Sequence, residues 1–101
     1  MQFEKSEDGT SLTLTLDKKL SAVTADELEK KLAEQLKGVK NFTVDMAKLV
    51  YVSSAGLRVL LKAQKFMNSI NGSMTIKNSI PEVMEIFKTT GFNEILKIEG
   101  M

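Results

Sequence analysis

Two adjacent serines, Ser53 and Ser54, stand between a short apolar run and a helical one, and they are the residues of this chain best placed to bind or carry an anion. Before them, Leu49, Val50, Tyr51 and Val52 have the β-branched and aromatic character of a strand end. After them, Leu57, Leu60, Leu61, Phe66, Met67 and Ile70 follow approximately helical spacing up to Asn71-Gly72, a stop signal. A helix start leaves backbone N–H groups without partners and adds roughly half a positive charge of dipole, so a phosphate is well received there. Serine is also a preferred N-cap, and Ala55 and Gly56 allow close packing of helix on strand. Local chemistry alone therefore supports both a plain cap, at Ser53 or Ser54, and an anion site.

Composition narrows the chemistry further. The chain has no histidine and no cysteine, so a Ser-His-Asp or Cys-His relay, a disulfide and a Cys-based zinc site are all excluded. No pair of carboxylates is placed beside a serine nucleophile, and the reading is of a non-enzyme with no cofactor and no metal. Fourteen Lys and Arg balance thirteen Asp and Glu, a net charge of +1 that creates no global field toward nucleic acid or an anionic membrane. No run of about 18 apolar residues exists and the start lacks a signal-peptide core, so a cytoplasmic protein without membrane insertion is expected. With 101 residues, 43% apolar and 27% charged, residues 1–101 are expected to form a single soluble domain.

The elements that must position the serines follow from periodicity. Gln2 to Lys5 is an expected edge strand, and Asp8-Gly9 signals a hairpin into Ser11 to Leu16, whose leucines alternate with serine and threonine. After a linker from Asp17 to Val23, Thr24 and Glu27 match a capping box, followed by Leu28, Leu32 and Leu36 on one helix face until Gly38. Asn41 to Asp45 is the expected third strand, and the run from Leu49 leads into the serines. Met74 to Ile76 is the fourth strand. Ser79 and Glu82, with Pro81, form a second expected capping box for a helix ending at Gly91, and Ile95 to Ile98 a fifth strand before a frayed end at Glu99-Gly100-Met101. The result is an α/β fold, a mixed sheet of about five strands with an N-terminal antiparallel hairpin and three main helices. Ser53 and Ser54 fall where strand C-termini meet helix N-termini, the usual site edge of such sheets.

These residues resemble a STAS domain of the anti-anti-sigma factor type, over about Ser11 to Ile98. The densest match is Val44-Asp45 through Gly56-Leu57, where the family commonly shows an aromatic and then Asp-Ser-(Ser, Thr or Ala)-Gly-Leu. Leu20-Ser21-Ala22-Val23-Thr24-Ala25 resembles the family's loop before its first helix, and Thr89-Thr90-Gly91-Phe92 with Ile95 its closing helix and strand. The resemblance implies an anti-sigma factor antagonist that captures an anti-sigma factor with serine kinase activity and is switched off by phosphorylation at Ser54. It implies a partner edge of Ser21, Thr24, Ser53, Ala55, Gly56, Leu57 and Arg58. Arg58 lies one turn beyond Ser54 and would reach a phosphate there; Lys62 and Lys65 continue the stripe. Two family aspartates are replaced, by Ser53 and by Ser21. The alternative reading keeps the fold as a constitutive subunit of a lipid or anion transport complex, with the serines only capping the helix.

Overall fold

The computed structural model describes residues 1–99. Strands β1 (Gln2–Lys5), β2 (Ser11–Leu20), β3 (Asn41–Val52) and β4 (Ser73–Lys77) form one sheet in the order β1-β2-β3-β4. The β1-β2 pair is antiparallel, whereas β2-β3 and β3-β4 are parallel, so the mixed sheet and its leading hairpin match the sequence expectation. Helices α1 (Ala22–Gln35), α2 (Ser54–Ser69) and α3 (Pro81–Thr90) supply the connections, with a 3-10 turn at Phe92–Glu94.

Strand alternation sets the core. Leu12, Phe42 and Met74 lie in register across three strands, as do Leu14, Val44 and Ile76, and all six are buried. The intervening row of Thr13, Thr43 and Thr75 is half-buried on the other face. Buried Ala25, Leu28 and Leu32 of α1, Leu60 and Met67 of α2, and Val83 and Phe87 of α3 share that core.

The hairpin turn is held by one carboxylate. Asp8 Oδ1 accepts hydrogen bonds from Ser6 Oγ at 2.7 Å, Thr10 Oγ1 at 2.9 Å and the Thr10 N–H at 3.1 Å. The Ser6 hydroxyl, then the Thr10 donors, hold the Asp8 carboxyl below its ordinary range.

Four local expectations are corrected. The linker at Asp17 to Val23 does not exist, because β2 runs on to Leu20 and α1 begins at Ala22. Its capping box is Ser21 with Thr24, not Thr24 with Glu27: Ser21 Oγ accepts from the Thr24 N–H and Thr24 Oγ1 accepts from the Ser21 N–H. The Ser79–Glu82 box does not form; Ile80 occupies the cap position and Ser79 is buried, its hydroxyl 3.7 Å from Met46 Sδ. The fifth strand shrinks to a single bridge between Ile76 and Ile98. Gly91, at φ 79°, and the 3-10 turn bring the chain to the β4 edge only at Lys97–Glu99, where the Ile76 N–H donates to Lys97 O and the Glu99 N–H to Ile76 O. Of the expected frayed end, Glu99 is thus tied down, while Gly100 and Met101 lie outside the described residues.

What looked like two segments, Asn41 to Asp45 and Leu49 to Val52, is one strand with two bulges. Thr15 pairs with Asp45 and Asp17 with Lys48, so β3 advances three residues while β2 advances two; between the Lys18–Leu49 and Lys19–Tyr51 pairs β3 advances two while β2 advances one. At the first bulge, Asp45 Oδ1 accepts from the Ala47 N–H at 3.0 Å, satisfying a donor left near the gap in the ladder. At the second, Val50 is the extra residue.

Candidate functional site

The parallel strands β2 and β3 end side by side, with Leu20 opposite Val52, and each feeds a helix within two residues. Two helix N-termini therefore share one edge of the sheet. Ser21 caps α1 and Ser53 caps α2, both in extended backbone. The two ends are laced together by the Ser53 N–H, which donates to Leu20 O at 2.9 Å.

That bond separates the two serines. Because the backbone of Ser53 stays extended just past the end of β3, its side chain is the one that turns back to cap, and Ser53 Oγ accepts from the Gly56 N–H at 3.1 Å. Ser53 is half-buried and occupied. Ser54 is the first helical residue, exposed, and its hydroxyl has no hydrogen-bond partner among the described residues. We expect Ser53→Ala to cost about 1 kcal/mol of stability through loss of the cap, and Ser54→Ala to stay within roughly 0.5 kcal/mol of wild type. Urea unfolding of the two variants reads the difference directly.

The other expected edge residues divide by burial. Arg58 is exposed one turn from Ser54 and has no ion pair among the described residues, whereas Lys62 is engaged with Glu29 of α1 at 3.0 Å. Ser21, Thr24 and Ala55 are half-buried, and Thr24 Oγ1 also reaches Lys19 O at 3.1 Å. Gly56 and Leu57 are buried behind that edge in the free chain.

At Gly56 a Cβ would fall 2.8 Å from the buried Leu20 side chain and 3.1 Å from Leu20 O. Gly56→Ala should force α2 off the end of β2 and cost about 1–3 kcal/mol. A lower urea midpoint with unchanged slope would register that cost, whereas an unchanged midpoint would show that Leu20 can give way.

The sequence reading missed the basic surface beside this edge, Lys18, Lys19 and Lys48. Lys18 adopts a left-handed φ of 59°, and the bulges that aim these side chains outward have no signature in residue type. The uninterrupted run Leu49-Val50-Tyr51-Val52, too apolar for plain alternation, was the available signal. Among the described residues no cluster of three or more metal-ligating side chains occurs, and no helix is long and apolar enough to cross a membrane.

Comparison with known proteins places this geometry. The STAS domain family model matches residues 2–100. A protein of Bordetella bronchiseptica (strain ATCC BAA-588 / NCTC 13252 / RB50), assigned as the anti-sigma factor antagonist BtrV, is 35% identical over 80 residues, covering 78% of this chain and 69% of that protein. Among solved structures, the anti-sigma factor antagonist SpoIIAA in its unphosphorylated form superposes with a TM-score of 0.86 at 16% identity, over 99% of this chain and 86% of that one. The phosphorylated form of the Bacillus cell fate determinant SpoIIAA gives 0.77 at 15% identity, over 99% and 89%. The solved structures establish the shared fold, and the family model together with the Bordetella protein establishes the kinship: this chain belongs to the STAS domain family.

Proposed function

We propose that the chain, as one STAS domain spanning residues 1–101, is an anti-sigma factor antagonist. It captures an anti-sigma factor that has serine kinase activity, and phosphorylation of Ser54 by that partner switches the capture off. The observation that carries this reading is the division of labour between the serines: Ser53 is consumed as the cap, and Ser54 is exposed at the sheet edge with a hydroxyl that has no partner among the described residues. The name of the Bordetella relative supports the same role.

The physics fits a switch of binding and not of fold. A phosphate on Ser54 adds about 1.5 to 2 negative charges and three acceptor oxygens to a surface that must dock flush. The α2 N-terminus receives it, contributing on the order of 0.3–1 kcal/mol, so the helix tolerates the modification. Arg58, one turn on, has no ion pair among the described residues, and it supplies the counter-charge. The chain acts as a binding module with no chemistry of its own, in the cytoplasm where its partner finds ATP.

The test is incubation with the cognate anti-sigma factor and ATP. One phosphate is expected by mass, absent in Ser54→Ala and retained in Ser53→Ala. A phosphate that persists in Ser54→Ala would overturn the site, and no phosphate at all would overturn the switch and favour a constitutive role in a transport complex.

A further inference from the structure

Beside the Ser54 edge, the two bulges help to build a basic depression. Asp17, Lys18, Lys19, Thr24, Lys48 and Val50 line one shallow open depression. The three lysines are exposed, and none makes an ion pair among the described residues. Three other lysines are matched with acids: Lys30 with Asp26 at 3.1 Å, Lys62 with Glu29 at 3.0 Å, Lys77 with Glu99 at 3.8 Å. Here Asp17 is the single acid among the lining residues, against three cations.

Val50 is the apolar residue of that lining, and exposed Tyr51 and Val23 are chain neighbours of lining residues. Val50, the extra residue of the second bulge, is 52% exposed; Tyr51, paired in register with Lys19, is 48% exposed; and Val23, beside Thr24 on the first turn of α1, is 70% exposed. A strand and a helix start that spend three large apolar residues on solvent near lysines without ion pairs have the mixed apolar and charged composition of an interface. Lys19 and Tyr51 directly precede Leu20 and Val52, the residues that deliver the chain to Ser21 and Ser53. The patch and the Ser54 edge are continuous.

We infer that this bulge patch is a docking surface for an acidic protein segment bearing an aromatic or aliphatic anchor, contributed by the partner that Ser54 controls. The inference rests on the antagonist reading for who brings the segment, and on charge complementarity for what the segment is. The lysines steer the encounter and set its salt dependence, and Val50, Tyr51 and Val23 receive the anchor. Phosphorylation of Ser54 would then place negative charge next to an approaching acidic surface, adding repulsion to the loss of flush contact.

The probe is the random copolymer poly(Glu,Tyr), with poly-Glu and poly-Lys as controls, added to isotope-labelled full-length protein and followed by amide shifts. Shifts confined to residues 17–23 and 48–52 are expected, larger with poly(Glu,Tyr) than with poly-Glu, absent with poly-Lys, and reduced in the double variant Lys19→Gln/Lys48→Gln. Shifts scattered over the other lysines, or no shifts, would overturn the inference. So would shifts produced by phosphatidylserine vesicles but not by the copolymer, which would mark a membrane surface instead. With the anti-sigma factor in hand, the double variant should bind about tenfold more weakly, with a flatter salt dependence, while Lys31→Gln/Lys37→Gln binds like wild type. Unchanged binding of the double variant alongside a working Ser54 switch sinks the patch and leaves the switch standing; copolymer shifts without any phosphorylation do the reverse.

Discussion

A Ser54→Glu variant is expected to lose affinity for the anti-sigma factor by about a hundredfold or more, roughly 3 kcal/mol, while unfolding at the same urea concentration as wild type. The two halves of that expectation come from the same coordinates. Ser54 is exposed in the free protein, so a carboxylate there is fully hydrated and sits at a helix N-terminus, where negative charge is favoured. On docking, that carboxylate must shed water, and this desolvation is what the complex loses. Isothermal titration of wild type, Ser54→Ala and Ser54→Glu separates the effects. Ser54→Ala should bind within a few-fold of wild type, because a methyl group docks flush. Equal affinity of all three would end the antagonist switch and support a constitutive module.

The second large effect lies in the core beneath the site. Phe42 is buried in the interior strand β3, with Leu12 and Met74 beside it in register. Phe42→Ala removes most of a ring from a close-packed interior whose neighbours on both sides are held by strand ladders and cannot collapse into the gap. A loss of about 3–5 kcal/mol is expected. Since domains of this size are stable by only about 5–15 kcal/mol, the variant should be partly unfolded near physiological temperature. Differential scanning calorimetry would show a melting temperature lower by tens of degrees, and a drop of only a few degrees would mean that the α2 and α3 side chains repack. Affinity of the folded fraction should be unchanged, which distinguishes this variant from Ser54→Glu.

Much of the architecture was legible because it rests on short-range pattern. The alternation of Leu12, Leu14 and Leu16, the four-residue spacing of Leu28, Leu32 and Leu36, and Asp8-Gly9 between two strands each encode a local preference that the fold keeps. The edge carrying Ser53 and Ser54 follows from the same patterns, since a strand run that passes into a helical run within two residues leaves the joint at a strand's C-terminal end.

The places where the local pattern misleads share one cause. Thr24-Ala25-Asp26-Glu27 is a sound capping sequence, yet β2 pairs with β3 as far as Leu20, and a strand held in its ladder to that point hands the cap to Ser21. Ser79 is a sound cap as well, but its burial against Met46 places the helix start after Ile80. Ile95 to Ile98 has strand composition, but the left-handed Gly91 and the turn after it leave only one bridge to β4.

By itself, then, the sequence determined the order of the elements, the apolar faces that pack together, the absence of histidine and cysteine chemistry, and the sheet edge that carries Ser53 and Ser54. Tertiary structure decided which serine caps and which leaves its hydroxyl exposed, brought Gly56 close against Leu20, and gathered three lysines and Val50 around one depression. The reason is range. A periodicity acts over one or two turns of chain, whereas the choice between Ser53 and Ser54 depends on a hydrogen bond to Leu20, whose partner lies more than thirty residues away.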